Sequence, residues 1–496
     1  MLAHHYLSAL ELAQAAGHDA SEFAEPARLA LRDAGDRALA LNAYAAASHF
    51  YRAALDLWPA DDPDRPHLLL RLGRTRYYGE AAGADVLEEA RDAFLAAGQR
   101  ELAAEAEVLL GESFGNQGVR DREDEHLERA AALVDGLPPS RSKALVLSHL
   151  AASLMMAGHY EDGIRVGREG LQIAETLGLD DLRAHALNSI GISRMTLGDA
   201  DGIADLESAI AIALENNLPD QGARAYGNLA EMMGNYLGDL SRAFELRAEG
   251  RTLAEKFGLA GYSRFLRGEL VIECYWTGRW DDALELADEL LSEAEADSPN
   301  YMDSQCLLAR ARIRLARGEP VAFEDAEKAL ETARTVRDPQ ALYPALAFRA
   351  RAELAAGRLE EASALADELV SSWANRPEAM LDSHLQSFVD AAEALRALGR
   401  GSELIAVAAK ARHQTRWTGA ATAFVSGDFL RAAEIYAAAG SAPDEAFARL
   451  RAAEALIAGG RRAEGDQELQ RALSFYRSVG ATAYLQEGEA LLARTA

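Results

Sequence analysis

The chain has 496 residues, of which 49% are hydrophobic and 26% are charged, values typical of a globular protein in water. Its formal net charge of −28 opposes binding to the phosphates of DNA or RNA and to anionic membrane surfaces. The sequence shows neither a signal-peptide pattern nor an uncharged apolar run of about 18 residues, so we expect no membrane contact and a cytoplasmic location.

The first 140 residues predict helices in a loose repeat pattern. Residues 1–36 read as an N-terminal helix pair that continues into the array, and residues 37–140 read as degenerate repeats. Asn42 stands where later repeats have a turn glycine, and asparagine tolerates the left-handed backbone conformation that such a turn needs. No strand-like alternation competes with the helical period, so the sequence predicts an all-α protein.

Residues 141–375 carry the regular part of the pattern. Turn glycines recur there at intervals of 40, 40, 40, 40 and 39 residues, namely Gly158, Gly198, Gly238, Gly278, Gly318 and Gly357. Gly118 extends the series back by another 40 residues. Each glycine follows an alanine-rich helix and precedes an amphipathic one. A fixed period of this length indicates stacked two-helix repeats and not one closed core.

The residue five places after a turn glycine is small at four of these turns, where Gly163, Ala243, Ala283 and Ala362 stand. A small side chain at this position allows close approach of the two helices. Gly198 and Gly318 are followed by their small residues one place earlier, so we expect those two turns to be adjusted by one residue. The register near Gly238 is also shifted, because the segment EMMGNYLG reads as an insertion.

Residues 376–496 predict further repeats and a capping helix. Gly427 and Gly460 open two turns only 33 residues apart, and the segment ATAYLQEGEALLARTA reads as the final helix. We count eleven or twelve units in total. The boundaries of the array are therefore placed at 36/37, 140/141 and 375/376.

Residues 37–59 match one repeat motif, in which the segment after Asn42 resembles the second helix of a tetratricopeptide repeat (TPR). Its small, aromatic, Ala-Leu and terminal proline positions are in register, at Ala47, Tyr51, Ala54, Leu55, Leu57 and Pro59. The resemblance extends over nearly the whole chain, with a period longer than the usual ~34 residues. It implies a right-handed superhelical solenoid whose first helices line a concave surface that binds partners.

Two further segments resemble the repeat arm of actinobacterial-type cyclase–ATPase regulators and large transcriptional activators. LAHHYLSALELAQAAG is similar to the start of that arm, and RALSFYRSVGATAYLQEGEALLA is similar to its end. Such regulators join the arm to an ATPase module and to a cyclase or DNA-binding effector. The sequence contains no GxxxxGK[ST] motif, so none of the family's catalytic residues has a counterpart here.

Motifs for chemistry are not found. No HExxH or CxxC pattern occurs, and Cys274 and Cys306 are expected to be small core residues. His149 and His159 flank a turn and are interpreted as a chance arrangement. We therefore predict no catalytic residue, no cofactor and no metal site.

Counting back from the turn glycines places polar or aromatic side chains on the inward face of the first helices, among mostly apolar neighbours. These candidate binding residues are His185, Asn188, Asn228, Glu231, Tyr275, Arg312 and Arg351. The two arginines would suit an acidic peptide or a carboxylated ligand. Three functions follow from the sequence: a non-catalytic arm that binds protein partners such as an ATPase or cyclase module, a small-molecule sensor that controls an ATPase, or the C-terminal part of a longer cyclase–ATPase enzyme.

Overall fold

The computed structural model describes residues 21–116, 119–297, 302–336, 339–375, 387–410 and 414–493, together with scattered positions before residue 21. Helices account for nearly all of this part of the chain, and no strand occurs in it. From residue 21 onward the described residues form twelve successive helix pairs, and a single helix follows the last pair. The predicted all-α solenoid of two-helix repeats is confirmed. Gly118 and the segment 376–386 at the last predicted boundary lie outside the described residues, and the division into four regions stays a prediction.

The first helices of the pairs form the inner layer. They are α1 (Ser21–Ala40), α3 (Arg65–Glu80), α5 (Arg100–Asn116), α7 (Arg141–Met156), α9 (Asp180–Thr196), α11 (Pro219–Glu231), α13 (Ala260–Trp276), α15 (Met302–Ala316), α17 (Pro339–Ala355), α19 (Ser387–Ala397), α21 (Arg416–Val425) and α23 (Ala442–Ala458).

The second helices form the outer layer. They are α2 (Tyr44–Asp56), α4 (Ala84–Ala96), α6 (Arg120–Val134), α8 (Tyr160–Leu177), α10 (Gly202–Glu215), α12 (Leu240–Phe257), α14 (Trp280–Asp297), α16 (Ala322–Val336), α18 (Leu359–Asn375), α20 (Gly401–Ala408), α22 (Phe429–Ala439) and α24 (Arg462–Val479), and α25 (Thr482–Ala493) ends the array.

The turns within pairs have the predicted backbone. All six glycines of the regular series have positive φ, between 62° and 90°, and Asn42 has φ 55° in the equivalent place. Ala243, Ala283 and Ala362 are at most 1% exposed, as expected where two helices meet. The one-residue adjustment after Gly198 is also present, because α10 begins at Gly202, where an added Cβ would lie 2.3 Å from the Gly191 carbonyl oxygen. A larger residue at Gly202 would push the two helices apart.

The irregularity before Gly238 is a π-helix at Met232–Tyr236, directly after α11. A π-helix accommodates one extra residue within an otherwise α-helical segment. The predicted insertion is therefore confirmed. The carbonyl oxygen of Gly234 in this segment accepts a hydrogen bond of 2.9 Å from the buried indole of Trp417 on α21.

The array curves so tightly that inner helices five units apart touch. Helix α3 contacts α13, and α13 and α15 in turn contact α23 and α25. We name the ring from α3 to α13 the first turn and the ring from α13 to α25 the second turn. Tyr44 on α2 packs in one cluster with Ala223 on α11 and Leu266 on α13, and Tyr78 on α3 packs against this cluster. Side chains of the inner helices therefore fill two enclosed interiors in place of one open groove.

Among the described residues, no helix is both long enough and apolar enough to span a membrane. Cys274 and Cys306 are each 1% exposed and free, which confirms them as core residues.

Candidate functional site

The seven candidate residues lie on five consecutive odd-numbered helices, from α9 to α17, and none of them is fully exposed. They separate into three groups. His185 and Asn188 face the first turn, Asn228 and Glu231 lie at the end of α11, and the remaining three residues, Tyr275, Arg312 and Arg351, meet inside the second turn.

Two arginines of the second turn converge on one carboxylate. Arg312 donates from Nε and Nη2 to Asp390 Oδ2, at 3.1 and 2.6 Å, and Arg351 donates from Nη1 to Asp390 Oδ1 at 2.8 Å. Asp390 is only 2% exposed. Burial alone would raise the pKa of its carboxyl, but the two guanidinium groups outweigh burial and lower that pKa. Asp390 therefore remains ionised between the two cations.

Aromatic rings enclose this cluster. The guanidinium carbon of Arg351 lies 4.8 Å from the centroid of the Phe447 ring, and that of Arg312 lies 5.4 Å from the Phe348 ring. Arg351 also donates from Nη2 to the hydroxyl of Tyr484, at 2.6 Å, and pairs through Nε with Glu393. Cations over ring faces are attracted by the ring quadrupole, which stabilises the arginines away from water. The chemistry of the wall suits a planar or apolar group that bears a carboxylate.

The space beside the arginines is small. A cavity of about 20 Å³, with Tyr275 and Phe348 in its wall, holds little more than one water molecule. The C-terminal helices close it, since Phe447 lies on α23 and Tyr484 on α25. A larger ligand can enter only when these helices move.

Two other carboxyl groups in the same interior have raised pKa values, whereas the pKa of Asp390 is lowered. Burial, with the nearby charge of Asp390, raises the pKa of Asp444 to about 6, although Ser441 donates a hydrogen bond to it. Burial also raises the pKa of Glu393. Asp444 therefore holds a proton at mildly acidic pH.

Asn228 and Glu231 lie in a separate group at the end of α11. Glu231 shares the buried Arg247 guanidinium with Glu269, at 3.2 and 2.7 Å respectively. Burial and the Glu269 carboxylate raise the pKa of Glu231 to about 7. Asn228 is half-buried one turn earlier on the same helix. This group joins α11, α12 and α13 and does not adjoin the arginine pair.

The first-turn group contains partners that the sequence analysis did not assign. Glu112 on α5 contacts His149 on α7, with Glu112 Oε1 at 3.2 Å from His149 Nδ1. The rings of His149 and His185 stack with their centroids 4.0 Å apart. Burial, together with the charges of Arg224 and His149, lowers the pKa of His185 well below its usual value, so His185 is neutral. The sequence analysis interpreted His149 and His159 as a chance arrangement and did not predict this contact.

A register signal could have identified several of these missed residues. Arg312 and Arg351 each stand six residues before a turn glycine, and Glu393 stands six residues before Gly399. Glu112 has the same place before Gly118. A charged residue six places before a turn glycine therefore indicates a side chain in the interior of the array. Asp390 and Tyr484 carry no such signal in common.

Comparisons with known proteins give no match to a family model and no match to a curated protein. Among solved structures, the chain resembles a signal-transduction ATPase (STAND) protein with a tetratricopeptide-repeat sensor from Pyrococcus horikoshii, at 11% identity and a TM-score of 0.37, covering 68% of this chain and 53% of that one. This chain thus spans about half of the length of that protein.

A Rap protein in complex with competence and sporulation factor is 13% identical, with a TM-score of 0.41 over 83% of this chain and 98% of that one. Aspartyl phosphate phosphatase F from Bacillus subtilis is 18% identical, with a TM-score of 0.37 over 58% of this chain and 75% of that one.

Proposed function

We propose that this chain is the sensor and partner-binding arm of a cytoplasmic signal-transduction or transcriptional regulator, and that the second turn binds a small carboxylated ligand. The observation that carries the proposal is the convergence of Arg312 and Arg351 on the single carboxylate of Asp390 inside an aromatic wall. Protein partners, such as an ATPase or cyclase module, would read the state of the turn.

The chemistry of binding is carboxylate exchange. Guanidinium groups bind carboxylates through paired, charge-assisted hydrogen bonds. Asp390 already occupies such a position, so an incoming carboxylate replaces it on one or both arginines without leaving a buried cation unpaired. The displaced Asp390 is 2% exposed, so it must take up a proton as it leaves the arginines, because an unpaired buried charge would cost several kcal/mol.

Signal transmission follows from how the interior is closed. Tyr484 on α25 covers Arg351. Arg317 holds both sides of the junction between α24 and α25, because its Nη2 donates to the carbonyl of Val479, the last residue of α24, at 3.1 Å and its own carbonyl accepts from Thr482, the first residue of α25. A ligand larger than the cavity must displace α25 from this seam. Binding would therefore shift the population of closed and open second turns, which is the output that a partner can detect.

A second candidate function is a scaffold whose arginine cluster is purely structural. The completeness of the internal pairing favours it, because each of the two arginines already contacts an acid of the chain. In that case protein partners bind the outer helices, and small carboxylates have no effect on the chain.

The experiment is a thermal-shift screen followed by calorimetry, with dicarboxylates, amino acids and short acidic peptides as probes. We expect at least one probe to bind, and expect Arg312→Ala with Arg351→Ala to weaken binding by tenfold or more. Arg312→Lys keeps the charge but removes the paired geometry, so it should weaken binding without loss of helical content. The matched control is Glu285→Ala with Glu293→Ala on outer helix α14.

Failure has two clear forms. If no carboxylate shifts the melting temperature, or if the α14 pair weakens binding and the arginine variants do not, the second turn is not the sensor site. A pull-down from the source cell with mass spectrometry, repeated with the arginine variants, then identifies partners of the scaffold alternative.

A further inference from the structure

Three side chains with metal-binding atoms meet inside the first turn. Glu112, His149 and His185 come from three successive inner helices, α5, α7 and α9, and each offers one ligand atom within 4.8 Å of the others. Ligand atoms around a tetrahedral zinc ion lie about 3.3 Å apart, given bonds of roughly 2.0–2.1 Å. Glu112 Oε1 and His149 Nδ1 are already 3.2 Å apart, so small side-chain rotations bring all three atoms onto one ion.

Unpartnered buried atoms point independently to a ligand. Nδ1 of His185 and Oε2 of Glu112 are both buried without a hydrogen-bond partner, and His185 is only 3% exposed. Asn188, which follows His185 by about one helical turn, is 2% exposed, and neither atom of its amide has a partner. Buried polar atoms are nearly always hydrogen-bonded, so these four atoms require an explanation. A bound ion would satisfy those of His185 and Glu112.

The surrounding charges decide what else the site takes. Arg224 on α11 donates to the carbonyl of His185 at 3.5 Å and to the hydroxyl of Ser189 at 3.2 Å. Arg74 also acts on Glu112 through its charge. Two guanidinium groups oppose an isolated dication but favour an anion beside it. Three protein ligands leave one coordination position open in a tetrahedral site, and an anion or hydroxide there would balance the arginines.

We propose that Glu112, His149 and His185 bind one divalent transition-metal ion of the zinc type, with the fourth position open toward Arg224. Two imidazoles and one carboxylate favour zinc, iron(II) or copper over magnesium or calcium, which take all-oxygen ligand sets. The site belongs to the first turn and does not depend on the carboxylate site of the second turn. Its ligands tie three helices together, so an ion would stiffen the first turn.

The test uses the full chain without an affinity tag, stripped with EDTA and titrated with zinc against a chromophoric chelator. We expect one zinc per chain. Glu112→Gln, His149→Ala and His185→Ala should each lower the zinc affinity by at least 100-fold. His126→Ala is the matched control, because His126 is also buried and pairs with a carboxylate, Glu107, at 2.5 Å. Unlike His149, it belongs to no group of three metal-binding side chains in the part of the chain that the structure describes.

Circular dichroism of every variant shows whether the helical content is retained. Glu112→Gln preserves shape, so it decides the outcome if either histidine variant loses helical content. Absence of stoichiometric zinc, or zinc binding that survives Glu112→Gln with the fold intact, would overturn the proposal. Loss of zinc in the His126→Ala control alone would also overturn it. None of these three results bears on the arginine variants of the second turn.

Discussion

Removal of the Asp390 carboxylate is the sharpest perturbation of the second turn. Asp390 is 2% exposed and accepts three hydrogen bonds from Arg312 and Arg351. Removing one member of a buried ion pair costs about 3–5 kcal/mol, because the remaining charges stay buried. Asp444, whose pKa is about 6 in the intact chain, is already ionised at pH 7.5, and loss of the Asp390 charge removes the repulsion between these two carboxylates, which compensates in part. For Asp390→Ala we therefore expect a loss near the lower limit, about 3 kcal/mol.

The assay is urea unfolding followed by circular dichroism at pH 7.5. Asp162→Ala is the reference, since Asp162 forms a surface pair with Arg165 in which both side chains are more than half exposed. That variant should lose about 0.5 kcal/mol or less. The pKa of Asp390 is lowered in the folded chain. Its contribution to the free energy of unfolding is therefore complete above its pKa in the unfolded chain, about 4, and is lost as the pH falls through its pKa in the folded chain. The stability difference between wild type and Asp390→Ala should therefore narrow only below about pH 4.

Chemical rescue tests whether the two arginines recognise carboxylates in general. Formate fits the space left in Asp390→Ala, and a dissociation constant of about 10 mM would restore about 1.4 kcal/mol at 100 mM formate. Sodium chloride at equal ionic strength is the control. The reasoning is refuted if Asp390→Ala costs no more than Asp162→Ala, or if formate stabilises the variant no better than chloride does.

Three other perturbations test the remaining parts of the structure. Burial raises the pKa of Glu231 to about 7, so the folded chain holds a proton that the unfolded chain releases above about pH 4.5; the melting temperature should fall from pH 5 to pH 8, and Glu231→Gln should flatten that fall. Ala283→Arg should lower the stability by several kcal/mol, because it overpacks the helix contact and buries a charge. Glu285→Arg, on the exposed face of the same helix, should lower it by about 0.5 kcal/mol or less. Equal melting temperatures of the two variants would show that the register is wrong. Trp417→Phe removes the indole hydrogen bond to Gly234 and should cost about 1–3 kcal/mol, with faster amide hydrogen exchange in both the π-helix and α21; unchanged exchange in the π-helix would contradict the contact.

The local features of the array could be predicted from sequence because each depends on neighbours in the chain. A turn glycine with positive φ, a small residue about five places later and an alanine-rich inner helix are requirements of one helix pair. The same register placed Arg312 and Arg351 inside, and the irregular segment before Gly238 marked the π-helix at Met232–Tyr236. Each of these inferences needed fewer than about 40 residues of context.

Tertiary structure alone decided what meets what across each turn. Trp417 bonds to Gly234, and Arg351 bonds to Tyr484, over separations of 183 and 133 residues. His149 and His185 stack because the inner helices of successive units lie side by side at one angle. Curvature accumulates from the small rotation between adjacent units, and that rotation depends on how side chains of different size pack at every interface. The glycine period gives the length of each unit but not the rotation between units. The closing of each ring after five units could therefore not be predicted from it.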